Sequence, residues 1–169
     1  GLFPIIVNKN SQTISPLLFA GITTILASIG ALIYATTQGK LKELKYKKSY
    51  TALIMITLCI VIIPYTLFFI GSSKTSGINS SLLLLTEIIF TMLFTPLIGE
   101  KNSKEKILGA IGVFLGAAFI LYNGTFNFNL GDILIITSTI TYPIGNFYAK
   151  KALHHVSPSI ILFVRFLLG

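Results

Sequence analysis

Residues 49–73 read SYTALIMITLCIVIIPYTLFFIGSS, and no side chain in the run carries a charge. A helix needs about 20 mostly apolar residues to cross roughly 30 Å of hydrocarbon, and this run is long enough. Its character is shared by the whole chain: of 169 residues, 53% are hydrophobic and 11% charged, with mean hydropathy +0.84. Soluble domains carry about 25% charged residues. There are too few here to coat a water-facing surface, which excludes a soluble enzyme and a disordered chain. The single cysteine, Cys59, excludes a disulfide framework and a cysteine-based zinc site. No cofactor is expected. The chain reads as an all-α integral membrane protein, a multi-helix transmembrane bundle.

Four further stretches accompany that run. Residues 11–39 and 107–131 contain no charge, 77–99 contain only Glu87, and the shorter 133–149 contain none. Five full spans are therefore expected, with partial ones at residues 1–7 and 159–169. Both ends stand in apolar sequence, without an initiating Met or a signal-peptide pattern. The chain is thus expected to be an internal piece of a longer protein, inactive in transport by itself. In lipid each span must satisfy its own backbone hydrogen bonds as a helix. Turn chemistry falls between the spans. Pro16 suits a first helical turn, Gly39 closes a helix before a lysine-rich loop, and residues 71–77, GSSKTSG, make a tight polar turn. Asn102 and Glu105 have capping-box spacing. The next helix is expected to end near Tyr122, closed by Asn123-Gly124, and Asp132 suits an N-cap or first turn. Pro64, inside its span, should kink the helix.

Alternating the loops separates the lysines. One side receives Lys40, Lys42, Lys45, Lys47, Lys48, Lys101, Lys104, Lys106, Lys150 and Lys151; the other receives only Lys9 and Lys74. Cytoplasmic loops collect Lys and Arg. Loops 40–48, 100–106 and 150–157 are accordingly expected in the cytoplasm, with the protein multi-pass in the cell (inner) membrane. The net charge of +8 is then mostly an orientation signal, and no nucleic-acid partner is expected. Twelve lysines against one arginine point to an AT-rich genome.

The two ends of the chain are alike. Phe3-Pro4-Ile5, Lys9 and Ser15-Pro16 recur as Tyr142-Pro143-Ile144, Lys151 and Ser157-Pro158, with the same Lys-to-Ser spacing. An odd number of spans separates the copies, so they cross the membrane in opposite directions. Transporters use inverted repeats of this kind to rock about a central site.

Residues 70–87, IGSSKTSGINSSLLLLTE, are followed by Pro96-Leu97-Ile98-Gly99-Glu100 and by residues 109–116, GAIGVFLG. On these segments the chain resembles the EamA-type repeat of the drug/metabolite transporter superfamily, and Gly131-Asp132 and Arg165 resemble the opening of that family's second repeat. The resemblance implies a ten-helix carrier of two inverted five-helix repeats. Residues 1–123 would be the first repeat, from the end of helix 1 through helix 5. Residues 131–169 would be helix 6 and the start of helix 7. The implied activity is secondary transport, expected to be export, of small polar metabolites or drugs by alternating access; an enzyme is not implied. The implied partners are the lipid bilayer and a small-molecule substrate, with proton or cation coupling and a homodimer left open. The chain departs from the family at Thr23, where the repeat offset aligns with Arg165, and at Ile88, where the family often has Pro.

Glu87 is the one acid well inside a span. An ionised carboxylate there is costly, and the usual responses are burial against other helices or a basic partner. Ser80, Glu87, Thr91 and Thr95 share one helix face by their spacing, a polar stripe aimed into a bundle. Glu87 is either a substrate- or proton-binding group or a structural carboxyl bonded to a neighbouring helix; intramembrane acids favour the first. Arg165 could bind an anionic group, pair with Glu87, or snorkel to the interface, which lies about two turns, roughly 10 Å, away. Ser138, Tyr142 and Asn146 form a second stripe. With Tyr65 and Thr57 they could line a cavity for a polar metabolite, or they could make interhelical hydrogen bonds. The residues expected to bind substrate or couple transport are Glu87, Thr91, Tyr142, Asn146, Tyr65 and Arg165.

Gly109, Gly112 and Gly116 are expected to serve close helix packing. With no strand before them and no Lys after, they do not make a phosphate loop. His154 and His155 lack carboxylate or cysteine neighbours and make a poor metal site, so no metal is expected. Glu100, among lysines, suits interfacial pairing, and the resemblance adds a gating role. The alternative to transport is a non-transporting scaffold or assembly subunit. Polar stripes converging on a mid-membrane cavity favour a carrier, and their burial in pairwise contacts favours a scaffold.

Overall fold

A computed structural model of the chain describes residues 2–99, 101–121 and 129–169. Glu100, Tyr122 and the Asn123-Gly124 turn lie outside the described residues. Every regular element among those described is helical. They are α1 (Phe3–Ser11), α2 (Pro16–Thr37), α3 (Tyr50–Ile56), α4 (Ile63–Ser72), α5 (Gly77–Leu83), α6 (Thr86–Phe94), α7 (Lys104–Leu121), α8 (Leu130–Ile140), α9 (Tyr142–Ala152) and α10 (Pro158–Leu167). Several of these join end to end. A π-helical segment, Thr57–Ile62, links α3 to α4, and 3₁₀ turns occupy Lys40–Lys45, Lys47–Ser49 and Thr95–Ile98.

Local chemistry explains the boundaries. Pro16 and Pro158 each stand in the first turn of a helix whose N-cap is an extended serine, Ser15 or Ser157. At these positions the missing N–H has no consequence and the fixed φ suits a helix start. Gly39 and Gly99 take φ of +66° and +79°, left-handed values that let the chain leave α2 and the Thr95–Ile98 turn sharply. Pro64 cannot donate to Ile60, and the helix responds just upstream: Ile63 N–H reaches back to Leu58 C=O, an i→i−5 bond. The disruption expected at Pro64 thus takes the form of a π turn.

One capping expectation changes and another is resolved between its alternatives. Asn102 does not cap α7; its amide donates to Met92 C=O at 2.8 Å, and Ser103 Oγ accepts from Lys106 N–H at 3.4 Å. The complete capping box stands at α8, where Asn129 is the N-cap and Asp132 returns a bond to its backbone N–H. Asp132 is therefore the third residue of the helix, a first-turn acid, the second of the two places expected for it.

Among the described residues, three helices are long and apolar enough to cross a membrane: Pro16–Thr37, Lys47–Ser72 and Gly77–Ile98. The other two expected spans do not join them among the described residues, one for its charges and one for its length. α7 begins with Lys104, Glu105 and Lys106, and residues 133–149 are divided between α8 and α9 at Thr141. Large apolar side chains point outward along α2 and α7, with Leu108 73% and Phe119 85% exposed. Hydrocarbon, not water, is the environment that accepts such a surface.

Inside, two apolar clusters hold the bundle. One gathers Ile56, Ile60, Val61, Ala152 and Ile160, and the other Val7, Phe68, Phe69, Leu83 and Ile135. α2 packs along α10, and α4 packs along α8. The α4–α8 approach depends on glycine: a Cβ at Gly71 would lie 2.7 Å from Gly131 C=O, and Gly145 leaves no room for one beside Ile60. By contrast, no described atom lies within 4 Å of a Cβ built at Gly109, Gly112 or Gly116. The glycine face of α7 thus makes no tight contact with the described residues.

Candidate functional site

Polar side chains in the bundle fall into three levels. At one end, Asn8 Nδ2 donates to Ser72 C=O at 2.5 Å and to Thr75 C=O at 2.8 Å. Ser72 and Ser80 hydroxyls pair at 3.1 Å, and Thr75 Oγ1 donates to Asp132 Oδ1 at 2.5 Å. Asp132, with only 2% exposure, thereby caps its own helix and ties it to the 71–77 turn. This network joins α1, α4, α5 and α8.

At the opposite end, Ser157 N–H donates to Glu43 Oε2 at 2.6 Å, and Lys40 pairs with the same carboxylate at 3.2 Å. The Ser157 amide first, and Lys40 after it, hold the Glu43 carboxyl below the usual carboxylate range. Glu43 occupies the N-terminal end of α10, where amides are otherwise unpaired and the helix dipole favours a negative charge. Ile98, Lys150 and Leu153 border one cleft, so the turns after α6 and α9 lie at this same end.

Between these ends lie the expected site residues. Glu87, in the first turn of α6, has its side chain beside that of Asn146 of α9, within reach of a polar interaction. At the residue just before Glu87, the Thr86 hydroxyl pairs with that of Thr139 at 2.8 Å. Toward the lysine-bearing end a cleft of about 370 Å³ opens between the two elements, bordered by Thr91, Thr95, Pro143, Asn146 and Phe147. The Tyr142 hydroxyl lies within electrostatic range of Tyr65, Glu87 and Arg165. Tyr65 rests against Phe69 and Phe166, with centroids 5.9 and 6.4 Å apart. The two stripes thus meet at Glu87 and Asn146, and five of the six expected residues cluster about Tyr142 or that pair; Thr91 borders the adjoining cleft.

Other expectations fail at this level. Arg165 makes no ion pair with Glu87; the one salt bridge among the described residues is Lys40–Glu43. Its guanidinium lies over the Phe166 ring at 4.7 Å, and its Nε is buried without a hydrogen-bond partner. The stripe from Ser80 to Thr95 does not stay on one face. At Leu84–Leu85 the ladder tightens to i→i−3 bonds, so Ser80 turns to Ser72 while Glu87 turns to α9. Ser138 and Thr57 are buried, their hydroxyls bonded to Ile135 and Leu53 carbonyls of their own helices. They line nothing. Sequence reasoning missed the Thr86–Thr139 pair and the Thr75–Asp132 bond, whose partners lie 53 and 57 positions apart. Among the described residues, no three His, Cys, Asp or Glu side chains come together as metal ligands.

A helical bundle with spanning-length helices and an apolar exterior is a membrane protein. The EamA-like transporter family model matches residues 1–122. The chain belongs to the EamA-like transporter family. It is similar to an uncharacterized transporter of Methanothermobacter thermautotrophicus, 29% identical over 63% of the chain and 29% of that protein. Two Bacillus subtilis proteins are also similar. The uncharacterized transporter YvbV is 26% identical over 80% of the chain and 45% of its own length. The uncharacterized transporter YyaM is 22% identical over 78% of the chain and 45% of its own. The chain spans less than half the length of these relatives. No solved structure matches it significantly.

Proposed function

We propose that the full-length protein is a secondary transporter that exports small polar metabolites or drugs by alternating access, with Glu87 as the binding or coupling group. The observation that carries this reading is the juxtaposition of Glu87 and Asn146, brought together from two helices beside an open cleft that Asn146 borders. A carboxyl inside a membrane bundle is costly unless it has a partner or a task. Here a lone amide is the partner, and a substrate amine, hydroxyl or proton can replace it. Such a replacement changes what holds α6 against α9, and a ligand shifts a conformational equilibrium only through a difference of this kind. Thr91 and Asn146 extend the polar surface into the cleft. Tyr142 and Tyr65 add hydroxyls, and the unpartnered Arg165 Nε suits an anionic group on the substrate. The lysine-bearing loops would face the cytoplasm.

The test is Glu87→Gln in the full-length protein, read in a metabolite-efflux or growth-resistance screen. Flux is expected to fall by about tenfold or more, equivalent to about 1.4 kcal/mol of barrier, with membrane insertion unchanged. Wild-type flux in that variant removes Glu87 from the mechanism. The scaffold reading draws on the Thr86–Thr139 contact, a pairwise burial of polar groups. It is preferred if the inserted wild-type protein moves no compound in the screen.

A further inference from the structure

A second cavity, of about 540 Å³, lies at the lysine-bearing end between α3 and α9. Lys48, Thr51, Tyr148, Lys151, His154 and His155 border it, with Ser49 and Ala52 completing the wall. Its size falls within the roughly 300–1,000 Å³ typical of small-molecule sites. Among the described residues no carboxylate lines it: Glu43, the acid of the neighbouring loop, is engaged by Lys40 and the Ser157 amide. The Lys151 ammonium itself lies over aromatic faces, 4.4 Å from the Phe147 ring centroid and 5.7 Å from that of Tyr148, the latter a residue of the cavity wall. The Ser49 hydroxyl donates to Tyr46 C=O at 2.7 Å, which leaves the lysines, the histidine rings and the Thr51 and Tyr148 hydroxyls as the donors facing the space.

We infer that this cavity is a binding site for a phosphate-bearing ligand, recognised by Lys48 and Lys151 from two different helical elements with hydroxyl and imidazole donors between them. Lysine binds phosphate as a point charge, and neighbouring neutral donors satisfy the remaining oxygens. A basic pocket between helices at the end of a membrane bundle also lies at the depth of lipid headgroups, and anionic headgroups occupy such pockets. The same chemistry accepts a free phosphate. Either ligand bridges the start of α3 to the end of α9. This inference does not rest on the transport reading.

The test uses the whole chain purified in detergent. Native mass spectrometry with phosphatidylglycerol and with phosphatidylcholine reads lipid retention, and calorimetry with inorganic phosphate reads the free anion. Lys48→Gln combined with Lys151→Gln is compared with Lys42→Gln combined with Lys45→Gln, which removes equal charge from residues that do not border the cavity. Selective retention of phosphatidylglycerol, weakened about tenfold or more by the first pair and not the second, establishes a headgroup site. Inorganic phosphate binding with the same dependence establishes a free-phosphate site. Equal weakening by both pairs, or binding of neither probe, overturns the inference. Lys48→Gln alone, at an exposed residue, replaces the first pair if that pair alters folding.

Discussion

Glu43 ties a loop that follows α2 to the first amide of α10, across 114 positions of sequence. Because Ser157 N–H and Lys40 lower its carboxyl below the ordinary range of about 4.3, the contact contributes fully above that range. It is lost as pH falls through the lowered value. Hydrogen exchange at Ser157 is therefore expected to accelerate, beyond its intrinsic pH dependence, only below the ordinary carboxylate range. Glu43→Gln should remove that acid transition. An unchanged transition in the variant would show that another group controls the α10 terminus. Individual residues were unevenly legible in the sequence. Glu87 stood out because an acid in a span is expensive wherever it points. Ser138 and Thr57 were misread for a reason of local chemistry: a hydroxyl satisfied by a carbonyl of its own helix has the same periodicity as one that faces a cavity.

At the scale of helices, glycine separates two kinds of contact. Gly71 and Gly131 let α4 and α8 approach until backbone meets backbone, whereas Gly112 has no described atom near its missing side chain. Gly71→Val should destabilise the bundle by about 1–3 kcal/mol, the usual result of overpacking. Gly112→Ala should be neutral or stabilising by up to about 1 kcal/mol, because alanine is the better helix former. Thermal unfolding of the two variants in one detergent distinguishes them, and equal losses would contradict the packing described. The evenly spaced glycines of α7 drew attention in the sequence, while the working contacts come from glycines spread across residues 71, 131 and 145. Spacing reports a helical face but not whether another helix meets it. Helix starts were easier to read, since Pro16 and Pro158 act through their own φ and need no distant partner.

For the molecule as a whole, the alternating apolar runs and the lysine ledger carried the architecture. The bonds and clefts at the lysine-bearing end bring the 40–45 loop, the end of α6 and the α9–α10 turn together. Single cysteines at Lys45 and Lys104 in the full-length protein should therefore react from one face of the membrane, and one at Lys74 from the other. Labelling of Lys45 and Lys104 positions from opposite faces would dismantle the proposed orientation. What could not be read at this scale was the meeting of distant levels, such as Asn8 with Ser72 and Thr75. Such meetings depend on how the helices tilt and cross, which an apolar run leaves open.

The π turn at Thr57–Ile62 accommodates a surplus residue relative to an uninterrupted α-helix. One residue is worth about 100° of rotation, so the faces above and below the turn are out of phase with each other. Tyr65, Phe68 and Phe69 owe their inward aim to that offset. Deleting a single residue within the turn would swing all three toward lipid while leaving the span's length and apolarity almost untouched. Two homologues with equally hydrophobic third spans could thus present different chemistry to their interiors through one added or missing position.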